Sequence, residues 1–273
     1  MSIIEAIILG IVQGLTEFLP VSSTAHLRIV PDLFGWNDPG APFTAVTQIG
    51  TLAAVLIYFR NDILVYTKAF AQCLLRREPF FSQDARLAWW MLFGTIPIAV
   101  IGLVLKDAIE TSFRSMYLVA FVLIIFSFVF LLAEKLSKRA KDLAQLNGKD
   151  AMLIGLAQAL ALLPGVSRSG ATISAGMMLN YTRETAARFS FLLSIPAVGL
   201  SGLYQLYKLR HVLAGELGLA LVIATVVAGV VGFLSIAFLL QYLRKHTLNI
   251  FVIYRVAVGV LIILLLQFHF IQQ

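Results

Sequence analysis

The sequence predicts an all-α polytopic membrane protein, with about six transmembrane helices plus two re-entrant helical hairpins in an inverted-topology repeat. Three observations carry that expectation. The 273 residues are 60% hydrophobic and only 13% charged, with a mean hydropathy of +0.91, well outside the soluble range. Several apolar runs reach the roughly 20 residues that a helix needs to cross ~30 Å of hydrocarbon, and none alternates as a membrane barrel does. Two of these runs are broken by proline and hydroxyl residues in matching places. The net charge of +7 resides in loops between apolar runs, where it biases orientation and points to no nucleic acid. Cys73 is the single cysteine, so an intrachain disulfide is impossible and thiolate-cluster or redox chemistry fits poorly. The first apolar run lacks a basic n-region and reads as mature structure.

Residues 2–19 form a helix that Pro20 stops, because proline disfavours the helical conformation before it and lacks a donor. Ser22, Ser23 and Thr24 offer N-caps for a second helix to Phe34, too short to cross alone. After a turn-rich connector (35–42), 43–59 is a span. A basic loop with Arg60, Lys68, Arg76, Arg77 and Arg86 follows, on the cytoplasmic side by the positive-inside rule. The spans 87–105 and 117–133 come next, Trp89 and Trp90 opening the first as interfacial anchors. Between these two spans, Lys106, Asp107, Glu110 and Arg114 nearly cancel, as in an external loop. A second basic loop runs from Lys135 to Lys149. Residues 150–163 are helical up to Pro164, and a short helix after the break ends at Asn180. The runs 183–207, 217–242 and 248–268 close the chain, with Arg244, Lys245 and His246 between the last two.

Gly10, Gln13 and Leu15 correspond to Gly155, Gln158 and Leu160, each pair 145 positions apart. We read a single membrane domain over 1–273, duplicated as about 1–134 and 149–273. Broken segments at corresponding places in two halves point to a binding site at the bilayer midplane. Residues 1–12 carry no Lys or Arg, which favours an external N-terminus; the first hairpin then enters from outside, the second from inside, and their tips can meet.

The first break places Gln13, Glu17, Ser22, Ser23, Thr24 and His26 within a greasy segment, where polar groups are costly and mark function. Gln13 and Glu17 share a helical face, and Glu17 lies one turn before the break. A desolvated carboxylate there suits a general base or a metal ligand. Both breaks end where a short helix begins, presenting backbone N–H groups suited to an oxyanion or phosphate. The second, with Ser167, Arg168, Ser169, Gly170 and Thr172, adds a permanent cation able to hold two phosphate oxygens. His26 follows Ser23 by one turn, so a serine, a histidine or water could attack.

The stretch Gln13-Gly-Leu-Thr-Glu17-Phe-Leu-Pro-Val-Ser-Ser-Thr-Ala-His26 resembles the first signature of the bacterial undecaprenyl-diphosphate phosphatases of the bacitracin-resistance type, and Pro164-Gly-Val-Ser-Arg-Ser-Gly-Ala-Thr172 resembles the second. The resemblance implies dephosphorylation of a C55 isoprenyl diphosphate, recycling the lipid carrier of cell-wall synthesis. It implies a multi-pass protein of the plasma (inner) membrane, with the site open to the outer (periplasmic) side. Glu17, Ser23, His26 and Arg168 fall on the family's essential positions, and Gln13 on one that accepts Glu or Gln; Ala25 stands where the family usually has Gly. Gln13, Ser22, Thr24, Ser167, Ser169, Gly170 and Thr172 are then candidates for holding substrate. The resemblance also implies a divalent cation, Mg or Ca, with Glu17 the one ligand that can be named. The partners expected are the polyprenyl diphosphate and membrane lipids, with a homodimer left open. An inverted-repeat transporter or flippase for a lipid phosphate would explain the broken helices as well, but has no need of Ser23, Glu17 and His26 together.

Overall fold

The computed structural model describes residues 1–105, 115–209 and 216–271. Eleven α-helices run through them: α1 (Ile3–Phe18), α2 (Ser23–Phe34), α3 (Gly40–Tyr58), α4 (Arg60–Arg76), α5 (Gln83–Val104), α6 (Met116–Leu136), α7 (Gly148–Ala159), α8 (Arg168–Met178), α9 (Arg183–Leu209), α10 (Glu216–Leu243) and α11 (Asn249–Gln267). Among the described residues there is no β-strand, only an isolated bridge between Lys141 and Tyr181. Five helices, α5, α6, α9, α10 and α11, are long and apolar enough to cross a membrane, and α3 with α4 makes a sixth candidate, bent by 82°. The chain is an all-α, multi-pass membrane protein. The segment with Lys106, Asp107, Glu110 and Arg114 lies outside the described residues.

The bend at Phe59 corrects one expectation. Most of the basic segment after Phe59 is the helix α4 rather than a loop. Tyr66, Ala69 and Cys73 recur at helical spacing and are buried, while Lys68 and Arg76 on the other face are exposed. The two tryptophans also do more than anchor. Trp89 packs edge-on against Phe70 and Trp90 stacks on Phe80, tying α4 and the loop after it to α5.

The first helix of each break lies against a long span at backbone distance. A Cβ on Gly10 of α1 would stand 2.6 Å from Ala224 O of α10, and one on Gly155 of α7 would collide with Gly94 O of α5. Farther along, Gly14 meets Val231 and Phe18 meets Gly232, so α1 runs parallel to α10. Beyond Gly232, α10 continues for about 16 Å before Arg244. The break after α1 therefore sits deep in the bundle.

Ion pairs gather one end of the molecule. Arg183 Nε donates to Glu134 Oε1 at 2.8 Å, Arg244 Nη2 to Glu184 Oε1 at 2.7 Å, and Arg188 Nη2 pairs with Asp62 Oδ1 at 2.7 Å. At this basic end α7 begins, after the loop with Lys135 to Lys149, and descends along α5. The helix α1 enters from the opposite end, and the two breaks meet between them.

Close backbone approach leaves no room for a methyl group at Gly155. Gly155→Ala, which in an exposed helix would be mildly stabilising, should destabilise the protein by about 1–3 kcal/mol here. Thermal unfolding in detergent measures this, and an unchanged or raised midpoint would contradict the packing described.

Candidate active site

Each break turns on a serine held in a conformation that L-residues seldom adopt: Ser22 has φ 76° and ψ 97°, Ser167 φ 72° and ψ 114°. The two are again 145 positions apart. Such backbone persists only where the surroundings hold it. Here a guanidinium does so. Arg255, fully buried in α11, donates from Nη2 to Gly165 O at 2.8 Å and from Nη1 to Pro20 O at 3.5 Å, carbonyls at the same place in either break. Its Nε donates to Ser127 Oγ at 3.2 Å, and its plane lies over the Phe130 ring at 4.8 Å. Carbonyl dipoles and a ring face thus replace the water that a cation at this depth has lost.

Glu17 is the meeting point of the two breaks. It is 5% exposed, and one of its oxygens, Oε1, accepts from Arg168 Nη2 at 3.0 Å. The other, Oε2, accepts from Ser23 Oγ at 2.9 Å, from Gln13 Nε2 at 3.0 Å and from Gln48 Nε2 of α3 at 3.4 Å. Ser23 and Arg168 are each the first residue of the short helix after a break, so equivalent positions answer the two oxygens of one carboxylate. A second contact closes the junction, Ser169 Oγ donating to Leu19 O at 3.2 Å.

Two buried polar atoms here have no partner: Arg168 Nε, a donor, and Gln13 Oε1, an acceptor. An anion would satisfy the first and a cation the second. Ser23 is half-buried and Thr24 exposed, so the first break is open to a ligand.

The remaining hydroxyls build the breaks. Ser22 sits at the N-cap of α2 but makes no capping bond; its Oγ lies 3.1 Å from Thr24 Oγ1. Ser167 does cap α8, accepting from Gly170 N at 3.2 Å. Thr172 is fully buried, and its hydroxyl is spent on Arg168 O at 2.8 Å and Ser190 Oγ at 2.6 Å, so it steadies the helix carrying Arg168 instead of facing a ligand. A Cβ at Gly170 would collide with Phe130, which explains the absence of a side chain there.

His26 does not reach Ser23. Its Nδ1 lies 2.7 Å from Ser22 O and its Nε2 2.7 Å from Tyr254 Oη. Gln158, the counterpart of Gln13, is fully buried, and neither of its side-chain polar atoms has a partner. Sequence reading misses Gln48, Ser190, Tyr254 and Arg255. For Arg255 a signal exists, a lone arginine inside an apolar span; the other three carry none.

A family model described as bacitracin resistance protein BacA matches residues 6–261. The chain is 55% identical to a protein of Chloroherpeton thalassium named undecaprenyl-diphosphatase, over 98% of each chain. It is 54% identical to the Myxococcus xanthus protein of that name, over 98% of this chain and 90% of the other. With the one from Chlorobium phaeobacteroides it shares 53% identity over the full length of both.

Arg255→Leu strands two buried carbonyls, and should destabilise the protein by about 3 kcal/mol. Arg255→Lys, a point charge that cannot fork between both breaks, should recover less than half of that. Thermal unfolding of the two variants in detergent tests this, and wild-type stability of Arg255→Leu would contradict the role assigned to it.

Proposed function

The chain belongs to the family of the bacitracin resistance protein BacA, and we propose that its two breaks form one composite phosphatase site. Its reaction is the hydrolysis of undecaprenyl diphosphate to undecaprenyl phosphate and inorganic phosphate, the step that returns the lipid carrier to cell-wall synthesis. The observation that carries the composite site is the Glu17 carboxylate, shared between Ser23 of one break and Arg168 of the other. Residues 1–134 and 149–273 then act as two copies of one unit, one supplying the chemistry and the other holding the anion.

Phosphoryl transfer asks a protein mainly for positioning and charge. Arg168 has N–H groups to spare beyond those given to Glu17 and Ser190 O, its unpartnered Nε among them. These hold the diphosphate oxygens, with the first backbone N–H groups of α8 beside them. Ser23 Oγ, already donating to Glu17, attacks the terminal phosphorus as its proton passes to the carboxylate. The bridging P–O bond breaks, the lipid monophosphate leaves, and water then releases phosphate from the serine. The prenyl tail stays among the lipid-facing helices.

Gln13 Oε1, buried and without a partner, is an oxygen that would meet a divalent cation, Mg or Ca, with the Glu17 carboxylate as its charged neighbour. Among the described residues no group of three or more His, Cys, Asp or Glu is placed to hold a metal, so the substrate and water would have to supply the other ligands. A bound cation would neutralise charge on the diphosphate. The basic end of the molecule faces the cytoplasm of a plasma (inner) membrane protein by the positive-inside rule. The first break, entered from the other end, then opens to the outer side.

Arg168→Ala should lower phosphate release from a C55 diphosphate by about 10³-fold. Removing the cation of a buried pair is destabilising even though Gln13, Ser23 and Gln48 still donate to Glu17. Arg168→Lys, which keeps a charge but not the fork, is therefore assayed beside it, and thermal unfolding checks that each variant is folded. Purified protein in detergent, where there are no compartments to transport between, separates hydrolysis from lipid transport. Undiminished release by a folded Arg168→Ala variant would overturn the assignment.

A further inference from the structure

We infer that Tyr254 is a positioning residue of this reaction, fixing the neutral, Nδ1-protonated form of His26 and holding its Nε2 lone pair in place; the inference rests on the phosphatase reading above. A carbonyl oxygen only accepts, so the 2.7 Å contact between His26 Nδ1 and Ser22 O puts a hydrogen on Nδ1. The other ring nitrogen is 2.7 Å from Tyr254 Oη. The two rings also stack, with centroids 5.6 Å apart and planes within 9°.

His26 is 7% exposed. Neither ring nitrogen meets a carboxylate, since one lies on Ser22 O and the other on Tyr254 Oη. A positive charge buried there would be left without a counter-ion, so the neutral ring suits this place. Its Nε2 is then an acceptor, and the phenol donates to it. The hydrogen bond to one nitrogen sets what the other can do, and here both are set, by Ser22 O and by Tyr254.

The arrangement separates two chemical pairs. Ser23 is served by Glu17. His26 Nε2 faces Tyr254 Oη, and Tyr254 is 43% exposed, so the phenol bridges the buried imidazole and the surface of the bundle. Tyr254 therefore stands between His26 and whatever approaches from there. The phenol occupies the single Nε2 lone pair, so it fixes the orientation of the ring and aims its Nδ1–H at Ser22 O, next to the serine that Glu17 holds.

The test uses the full chain in detergent. In wild-type protein labelled with 15N-histidine, the resonances that vanish in His26→Gln should report a ring protonated on Nδ1 and unprotonated on Nε2. In Tyr254→Phe, which retains the stacked ring, the Nε2 resonance should move toward that of a free acceptor. Its kcat should fall by about 10-fold or more, with KM within about 2-fold. A wild-type ring protonated on Nε2 overturns the inference even if Tyr254→Phe fails to fold. So does a folded Tyr254→Phe variant with wild-type kcat and an unmoved resonance, provided wild type releases phosphate. Absence of phosphate release by wild type would instead remove the phosphatase reading, and this inference with it.

Discussion

At 5% exposure the Glu17 carboxylate has lost nearly all its water, and in its place four donors from four helices and both halves of the chain converge on it. Taking a carboxylate and a guanidinium out of water costs several kcal/mol each, which mutual attraction repays only with good geometry and further hydrogen bonds. Arg168 at 3.0 Å, with Ser23 and Gln13 beside it, meets that condition. The two breaks are thus held at one depth by a charge that neither could bury alone.

Arg255 performs the same service on the backbone. The strained serines at the two turns expose carbonyls that hydrocarbon cannot satisfy, and one guanidinium reaches both. Its flat fork explains why arginine stands there, and the Phe130 ring beneath it, which also meets Gly170, couples the fork to α8. Site and scaffold share parts: the contacts that hold the breaks in register also orient the groups proposed to do the chemistry.

Much of this is legible in the sequence. Glu17, Ser23 and Arg168 stand out because polar residues in a greasy run are costly, and the helix-break-helix pattern follows from Pro20 and Pro164. Membrane class follows from composition alone. The errors have physical reasons. The stretch after Phe59 reads as a loop if its charges are counted, and as a helix if the spacing of Tyr66, Ala69 and Cys73 is read instead. Thr172 resembles a phosphate ligand in sequence but turns its hydroxyl to its own helix and to Ser190, a choice that depends on α9 packing beside it. Arg255 could have been found by the rule that found Glu17; Tyr254, Gln48 and Ser190 could not, since only the fold brings them within reach.

If the site is one unit built from two halves, the losses caused by Glu17→Gln and Arg168→Gln should not add. A double-mutant cycle on kcat/KM for phosphate release in detergent reads this directly. The composite site predicts that the double variant is hardly worse than the more damaging single one. Losses that multiply, as for two independent groups, would contradict it.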